Sequence, residues 1–194
     1  MKEDPEDSEN EEYAVAVPDG TFETKRLFLK PLRVHGAEEF FSLVESSRAT
    51  LRKWLPWVDE VRTLSQATRY VNGYAYQLLT GSGGAYEIRD LNTRELTGVL
   101  ILSWVDRKNR STAFEYFLGD AWTGKGLAAE ACSRMLETLR EMRFHRVEIS
   151  AAAENAKSNA LARRLGFTWE GISREAEYLH GKFWDINRWA LLLK

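Results

Sequence analysis

The chain has one cysteine, Cys132, among 194 residues. A single thiol excludes an internal disulfide framework and fits a reducing compartment, so a cytoplasmic setting is expected. Its place in a helical pattern makes Cys132 read as a small core residue. No apolar run approaches the length of a bilayer span. The opening MKEDPEDSENEE holds no apolar stretch of the kind a secretory signal needs. No membrane association is therefore expected. The three histidines, His35, His145 and His180, lack metal-ligand spacing, which speaks against a metal site. A G-x-x-x-x-G-K-S/T phosphate loop is missing, and no internal repeat occurs.

What is present is the composition of an ordinary globular protein, 44% hydrophobic and 29% charged, of a length that suits one domain. Charge is unevenly placed. Residues 1–12 hold seven acids and one lysine, a net −6, so the remaining body carries about +4 against the whole chain's −2. Residues 1–20 are expected to form an acidic disordered tail, and residues 21–194 a single folded domain. A mildly basic body suits an anionic ligand. Arg134, Arg140, Arg143, Arg146, Arg163 and Arg164 are spaced as on exposed helix faces, without an aromatic platform, so no nucleic-acid binding is expected.

Periodicity predicts seven strands: Thr24–Leu32, Ala85–Arg89, Leu96–Trp104, Thr112–Leu118, Arg146–Ala152, Phe167–Glu175 and Phe183–Leu192, the last two joined near His180–Gly181. Four helices are predicted. The first covers Gly36–Ser47. The second opens at a capping box of Thr63 and Gln66 and runs to about Leu79. The third is Lys125–Arg143. The fourth has Asn155 as N-cap and Gly166 as C-cap. The order β-α-α-β-β-β-α-β-α-β-β predicts an α+β fold, a mostly antiparallel mixed sheet carrying helices.

TGKGLAAEA, Thr123–Ala131, places two glycines at the start of a helix. One reading is a plain turn. The other is a phosphate site, because unpaired N–H groups and the helix dipole converge there and glycine allows close approach. Gly124, Gly126 and Ala129 also spell G-x-G-x-x-A, with Glu148 at about the right distance for a dinucleotide fold. Against that, five residues separate Leu118 from Gly124, Glu148 lies inside a strand pattern, and only one more helix follows.

The stretch Asp120–Ala131 resembles the acyl-CoA pyrophosphate loop of the GCN5-related N-acetyltransferases (GNAT), Gln/Arg-x-x-Gly-x-Gly/Ala, at Thr123, Gly126 and Ala128. Thr123 departs from the Gln/Arg position, which removes a side-chain contact and leaves the backbone donors. NAKSNALARRLGFTWEG resembles the family's next helix. TKRLFLKPL and AEYLHGKFWDINRWALLL resemble the ends of its ribosomal-protein N-terminal acetyltransferase branch (RimJ/RimL-like). The likeness spans about residues 22–194. It implies a GNAT fold of about seven strands and four helices, with the sheet splayed at the acyl-CoA site.

By that resemblance the chain moves an acetyl group directly from acetyl-CoA to a primary amine, most simply the N-terminus of a ribosomal or other protein. The alternatives are a small amine (polyamine, antibiotic, amino acid) or a CoA-binding regulator without catalysis. Phe117 and Leu118 would pair with the pantetheine arm. The N–H groups of Gly124, Lys125, Gly126, Leu127 and Ala128 would hold the pyrophosphate, with Thr123 beside them in the cofactor site and the Lys125 side chain either adding charge or solvated. Asn155 would border the cofactor as well as cap its helix. Glu177 is the implied base, with Glu115 the alternative if its side chain enters the cleft; Tyr116 alternates to the other face. Ser158 is the implied acid toward the departing thiolate. Trp54 and Trp57 of WLPW would border the acceptor, or pack in a core or dimer contact. An α-amine (pKa about 8) is easier to deprotonate than lysine (about 10.4), a gap worth roughly 3 kcal/mol. A homodimer is the branch's expected assembly.

Overall fold

The computed structural model describes residues 15–194. Its strands are β1 (Phe22–Glu23), β2 (Leu27–Pro31), β3 (Gly84–Asp90), β4 (Leu96–Asp106), β5 (Ser111–Leu118), β6 (Arg146–Ala152), β7 (Thr168–Leu179) and β8 (Lys182–Leu192). Its helices are α1 (Ala37–Ser46), α2 (Arg48–Leu51), α3 (Leu64–Thr80), α4 (Leu127–Glu141) and α5 (Ala156–Arg164). Every predicted element is present. The additions are the two-residue β1, the single-turn α2 and three 3-10 turns (Val34–Gly36, Pro56–Asp59 and Asp120–Trp122), all too short for periodicity to register.

The eight strands form one sheet in the order β1-β2-β3-β4-β5-β6-β8-β7. All neighbours are antiparallel except β5 and β6. Helices cover both faces, so the central strands are apolar on both sides. In β4, Leu100 and Leu102 face a core formed with α4 and α5, while Val99 and Ile101 face a second core formed with α1 and α3. One parallel pair cannot build a doubly wound sheet, which removes the dinucleotide reading. Glu148 instead accepts from Arg146 Nε at 2.9 Å.

The caps behave as their chemistry dictates. Thr63 Oγ1 accepts from Gln66 N–H at 3.3 Å, and the Gln66 carboxamide accepts from Arg62 N–H, one residue earlier than a standard capping box. Asn155 Oδ1 accepts from Ser158 N–H at 3.2 Å. Gly166 takes φ +84 and closes α5.

The tail boundary moves. Val15 and Val17 are buried in the first core, and the Tyr86 hydroxyl donates to Pro18 O at 2.6 Å. Residues 15–20 therefore belong to the folded body. The expectation of disorder for the preceding residues, 1–14, falls outside the described residues.

Candidate active site

Strands β5 and β6 pair from Ser111↔Arg146 to Phe114↔Ile149 and then part. Beyond that point Glu115–Leu118 stays hydrogen-bonded to β4 and Ser150–Ala152 to β8. The gap leaves backbone edges without strand partners at the centre of the sheet. A cavity of about 490 Å³ fills it, lined by Trp54, Glu115, Tyr116, Ser158, Glu177 and Trp184, among others. A second cavity of about 380 Å³ continues outward between α4 and α5. The two share Tyr116, Leu118, Thr123, Lys157 and Ser158, so they form one cleft.

The outer cavity is floored by the glycine loop. Gly124 and Gly126 take φ +76 and +77, where any side chain would be strained. With both in this conformation, the loop turns into α4 without using its amides. The N–H groups of Gly124 to Ala129 have no protein acceptor among the described residues. The sole acid of the helix's first turn, Glu130, is paired with Arg26 and accepts a hydrogen bond from Thr24 Oγ1. Loop and helix thus offer an anion a cluster of free donors with positive dipole. Thr123 Oγ1 donates back to Asp120 O, so this departure from the family pattern holds the turn. The Lys125 ammonium sits 4.9 Å from the Trp122 ring, outside both cavities. The side-chain cations that line the outer cavity are instead Lys157 and Arg164 of α5.

In the inner cavity the two glutamates share one space. Ser103 Oγ donates to Glu115 Oε1 at 2.7 Å. Glu177 is half-buried. Burial raises its carboxyl above the usual range, the nearby Glu115 charge adds to this, and Arg188 opposes it. Arg188 is itself held by Ser150 Oγ and Ser173 Oγ. Glu177 reaches this position through a bulge. Ser173 pairs with Ile186 and Glu177 with Trp184, so β7 spends two more residues than β8 over the interval. Glu175 takes φ +49 at the bulge, and its N–H donates to Asp185 Oδ1.

Tyr116 does alternate to the face opposite Glu115, and there its hydroxyl donates to Ser158 Oγ at 3.2 Å. Burial pushes the phenol up to about 12, so it stays protonated. Period-two alternation shows which face Tyr116 takes. Its partner comes from a helix 42 residues away. Ser103, Lys157 and Asn159 also escaped the sequence reading, and Trp184, which the sequence suggests as a packing residue, lines the cleft. Asn159 is buried and ties α5 to the sheet: its Nδ2 donates to Ala152 O and Asn155 O, and its Oδ1 accepts from Asn187 and Trp189.

The acceptor-side tryptophans separate. Trp54 lines the cleft and meets Trp184 edge-on at 5.7 Å. Trp57 turns into the second core, 5.9 Å from Phe40 and 5.4 Å from Phe117, so the placement beside an acceptor is corrected to packing. The Phe117 side chain is buried in the same core; only its backbone can serve a ligand. The β7–β8 hairpin closes this end. Its two-residue turn, His180–Gly181, has both φ angles positive, and the His180 ring bonds to Arg52 O.

A sheet splayed beside a loop of free amides is the architecture of an acyl-CoA-dependent transferase. The family description "Acetyltransferase (GNAT) domain" matches residues 26–168, and the chain belongs to that family. It is an N-acetyltransferase whose acyl donor is acetyl-CoA. Among its relatives, the [Ribosomal protein uS5]-alanine N-acetyltransferase of Escherichia coli (strain K12) is 26% identical over 179 residues, 89% of this chain and 91% of that one. The ribosomal-protein-serine acetyltransferase of the same organism is 24% identical over 168 residues, 84% and 93% of the two chains. A solved RimL alpha-N-protein acetyltransferase in complex with coenzyme A superposes with a TM-score of 0.86 at 26% identity, covering 90% of this chain and 98% of that one. No helix is long and apolar enough to cross a membrane, and no metal-binding cluster occurs, both among the described residues.

Proposed function

We propose that the chain acetylates the N-terminal α-amine of a ribosomal or other protein by direct transfer, in the cytoplasm, with the folded body acting as one catalytic domain. The observation that carries this reading is the single cleft that joins Glu177, the Tyr116–Ser158 pair and the free amides of the glycine loop. Relatives named for ribosomal-protein acetylation support the acceptor class.

The donor supplies an acyl carbon activated by a thiol leaving group. The amides of residues 124–129 hold its diphosphate, and the unpaired β5 edge at Phe117 and Leu118 holds its amide-bearing arm. Asn155 keeps Ser158 in the first turn of α5, facing the cleft. An incoming ammonium has no lone pair. Glu177 takes its proton, directly or through a water, and the upward shift of its carboxyl moves it in the direction a general base needs. Glu115, held by Ser103 Oγ, lines the same cavity as Glu177. On the other side of the acyl group, Tyr116 donates to Ser158 Oγ, which leaves the serine proton free to be given to the departing sulfur. Trp54 and Trp184 shape the mouth through which the acceptor enters.

The test is intact-mass analysis of ribosomal proteins, other proteins with free N-termini, and small amines after incubation with acetyl-CoA and the enzyme. A gain of one acetyl group mapped to an N-terminus is the expected result. Acetylation confined to small amines would overturn the acceptor assignment.

A further inference from the structure

Two cations face the outer cavity from α5, and neither is explained by the fold. Lys157 and Arg164 both line it, seven residues apart and therefore on one helix face, about 10 Å from each other along the axis. Among the described residues neither forms an ion pair or a side-chain hydrogen bond. Nearby charges are already committed. Glu130 is taken by Arg26 and Thr24. Arg163, the neighbour of Arg164, lies 5.5 Å from the centre of the Trp189 ring and packs on it. The position of Arg164 in the last turn of its helix suits a cation for dipole reasons alone, but that does not require it to line a cavity.

Order along the cleft separates the two. Lys157 borders both cavities, at the junction beside Ser158. Arg164 borders only the outer one, opposite the loop that presents Gly126 and Ala129. With the acyl group beside Glu177 and the diphosphate on the loop amides, the rest of the donor must continue outward. That remainder is an adenosine bearing a 3′-phosphate.

We propose that Arg164 holds the 3′-phosphate of coenzyme A, and that Lys157 flanks its diphosphate across the cavity from the loop amides. The assignment rests on those amides holding the diphosphate. It makes Arg164 the residue that distinguishes coenzyme A from carriers of the same length without that phosphate. A guanidinium suits the role because it meets a phosphate with two parallel N–H donors.

Calorimetric titration of the whole chain with coenzyme A and with 3′-dephospho-coenzyme A tests this without any acceptor, so it stands or falls separately from the proposed amine. Wild type should prefer coenzyme A by about fivefold, the strength of one solvent-exposed charge pair. In R164Q that preference should vanish because coenzyme A weakens while the dephospho compound does not. R164K should keep part of the preference. K157Q should weaken both ligands by the same factor and leave their ratio intact. Equal loss of both ligands in R164Q would place Arg164 on the diphosphate and overturn the assignment, as would an unchanged ratio.

Discussion

The Tyr116 hydroxyl donates to Ser158 Oγ across 3.2 Å, joining the free end of β5 to the first turn of α5. The bond lies in the lining of the splayed cleft, and under the proposed function one strand and one helix together supply the proton for the leaving sulfur. With the phenol pushed up to about 12 by burial, Tyr116 acts as a donor throughout the neutral range. Y116F removes the first proton of the relay and S158A the second. Each should lower kcat by about ten- to a hundredfold. The double variant should cost little more than either single one, because the two residues work as a unit. KM for acetyl-CoA should stay near wild type in Y116F. Steady-state kinetics of the three variants checks this, and additive losses in the double variant would refute the relay.

Glu177 gives a prediction in pH. Its carboxyl is raised by burial and by Glu115, so the rate should fall as pH drops through that raised value. E177Q should lose about 10²- to 10⁴-fold in rate while still binding coenzyme A. The same shift bears on stability. A carboxyl that holds its proton more tightly when folded stabilises the fold at low pH, and this stabilisation is lost as pH rises from the ordinary 4.5 through the raised value. Glutamine carries no charge at any pH. E177Q should therefore melt no lower than wild type at pH 7, and thermal unfolding at pH 4 and 7 shows whether it does.

The glycine loop can be perturbed without filling space. A Cβ at Gly126 would meet only Arg26, at 3.7 Å, but φ +77 strains any residue that carries one. G126A should cost about 1 kcal/mol, a fall of roughly 3 °C in Tm. If the loop shifts to relieve that strain, the amides lose their aim, and KM for acetyl-CoA should rise about tenfold with kcat little changed. A fall in kcat with unchanged KM would contradict the donor role.

Asn159 is the structural counterpart to these functional residues. Truncation leaves the buried Trp189 N–H and the Asn187 amide without their acceptor, while the Ala152 carbonyl keeps only the bond from Asn155 N–H. N159A should cost about 3 kcal/mol and lower Tm by roughly 10 °C. Denaturant unfolding measures it.

Cys132 lies fully buried in α4, and burial pushes its thiol up to about 12. It should resist thiol reagents until the protein unfolds, and C132A should keep wild-type kcat. Loss of turnover in C132A would point to an acyl-cysteine route in place of direct transfer.

Some of this protein could be read from the chain alone. Apolar runs such as LTGVLIL, the caps at Thr63, Asn155 and Gly166, and the two glycines before α4 act over a few residues, so local chemistry determines them. The free amides of the loop follow from the same source, because a helix start always leaves donors unpaired. Length of pairing, bulges and long-range contacts obey no such local rule. That β5 and β6 part after Phe114 and Ile149 depends on how β4 and β8 hold their outer edges. That Glu177 faces the cleft depends on two extra residues in β7 opposite β8, and that Tyr116 meets Ser158 depends on where α5 packs. Trp57 and Trp54 share one short motif, yet one fills the core and the other the cleft, since a one-dimensional pattern does not say which surface a turn will cover. Sequence determined the elements and the residue types that the chemistry needs; the packing of the elements decided which of those residues meet.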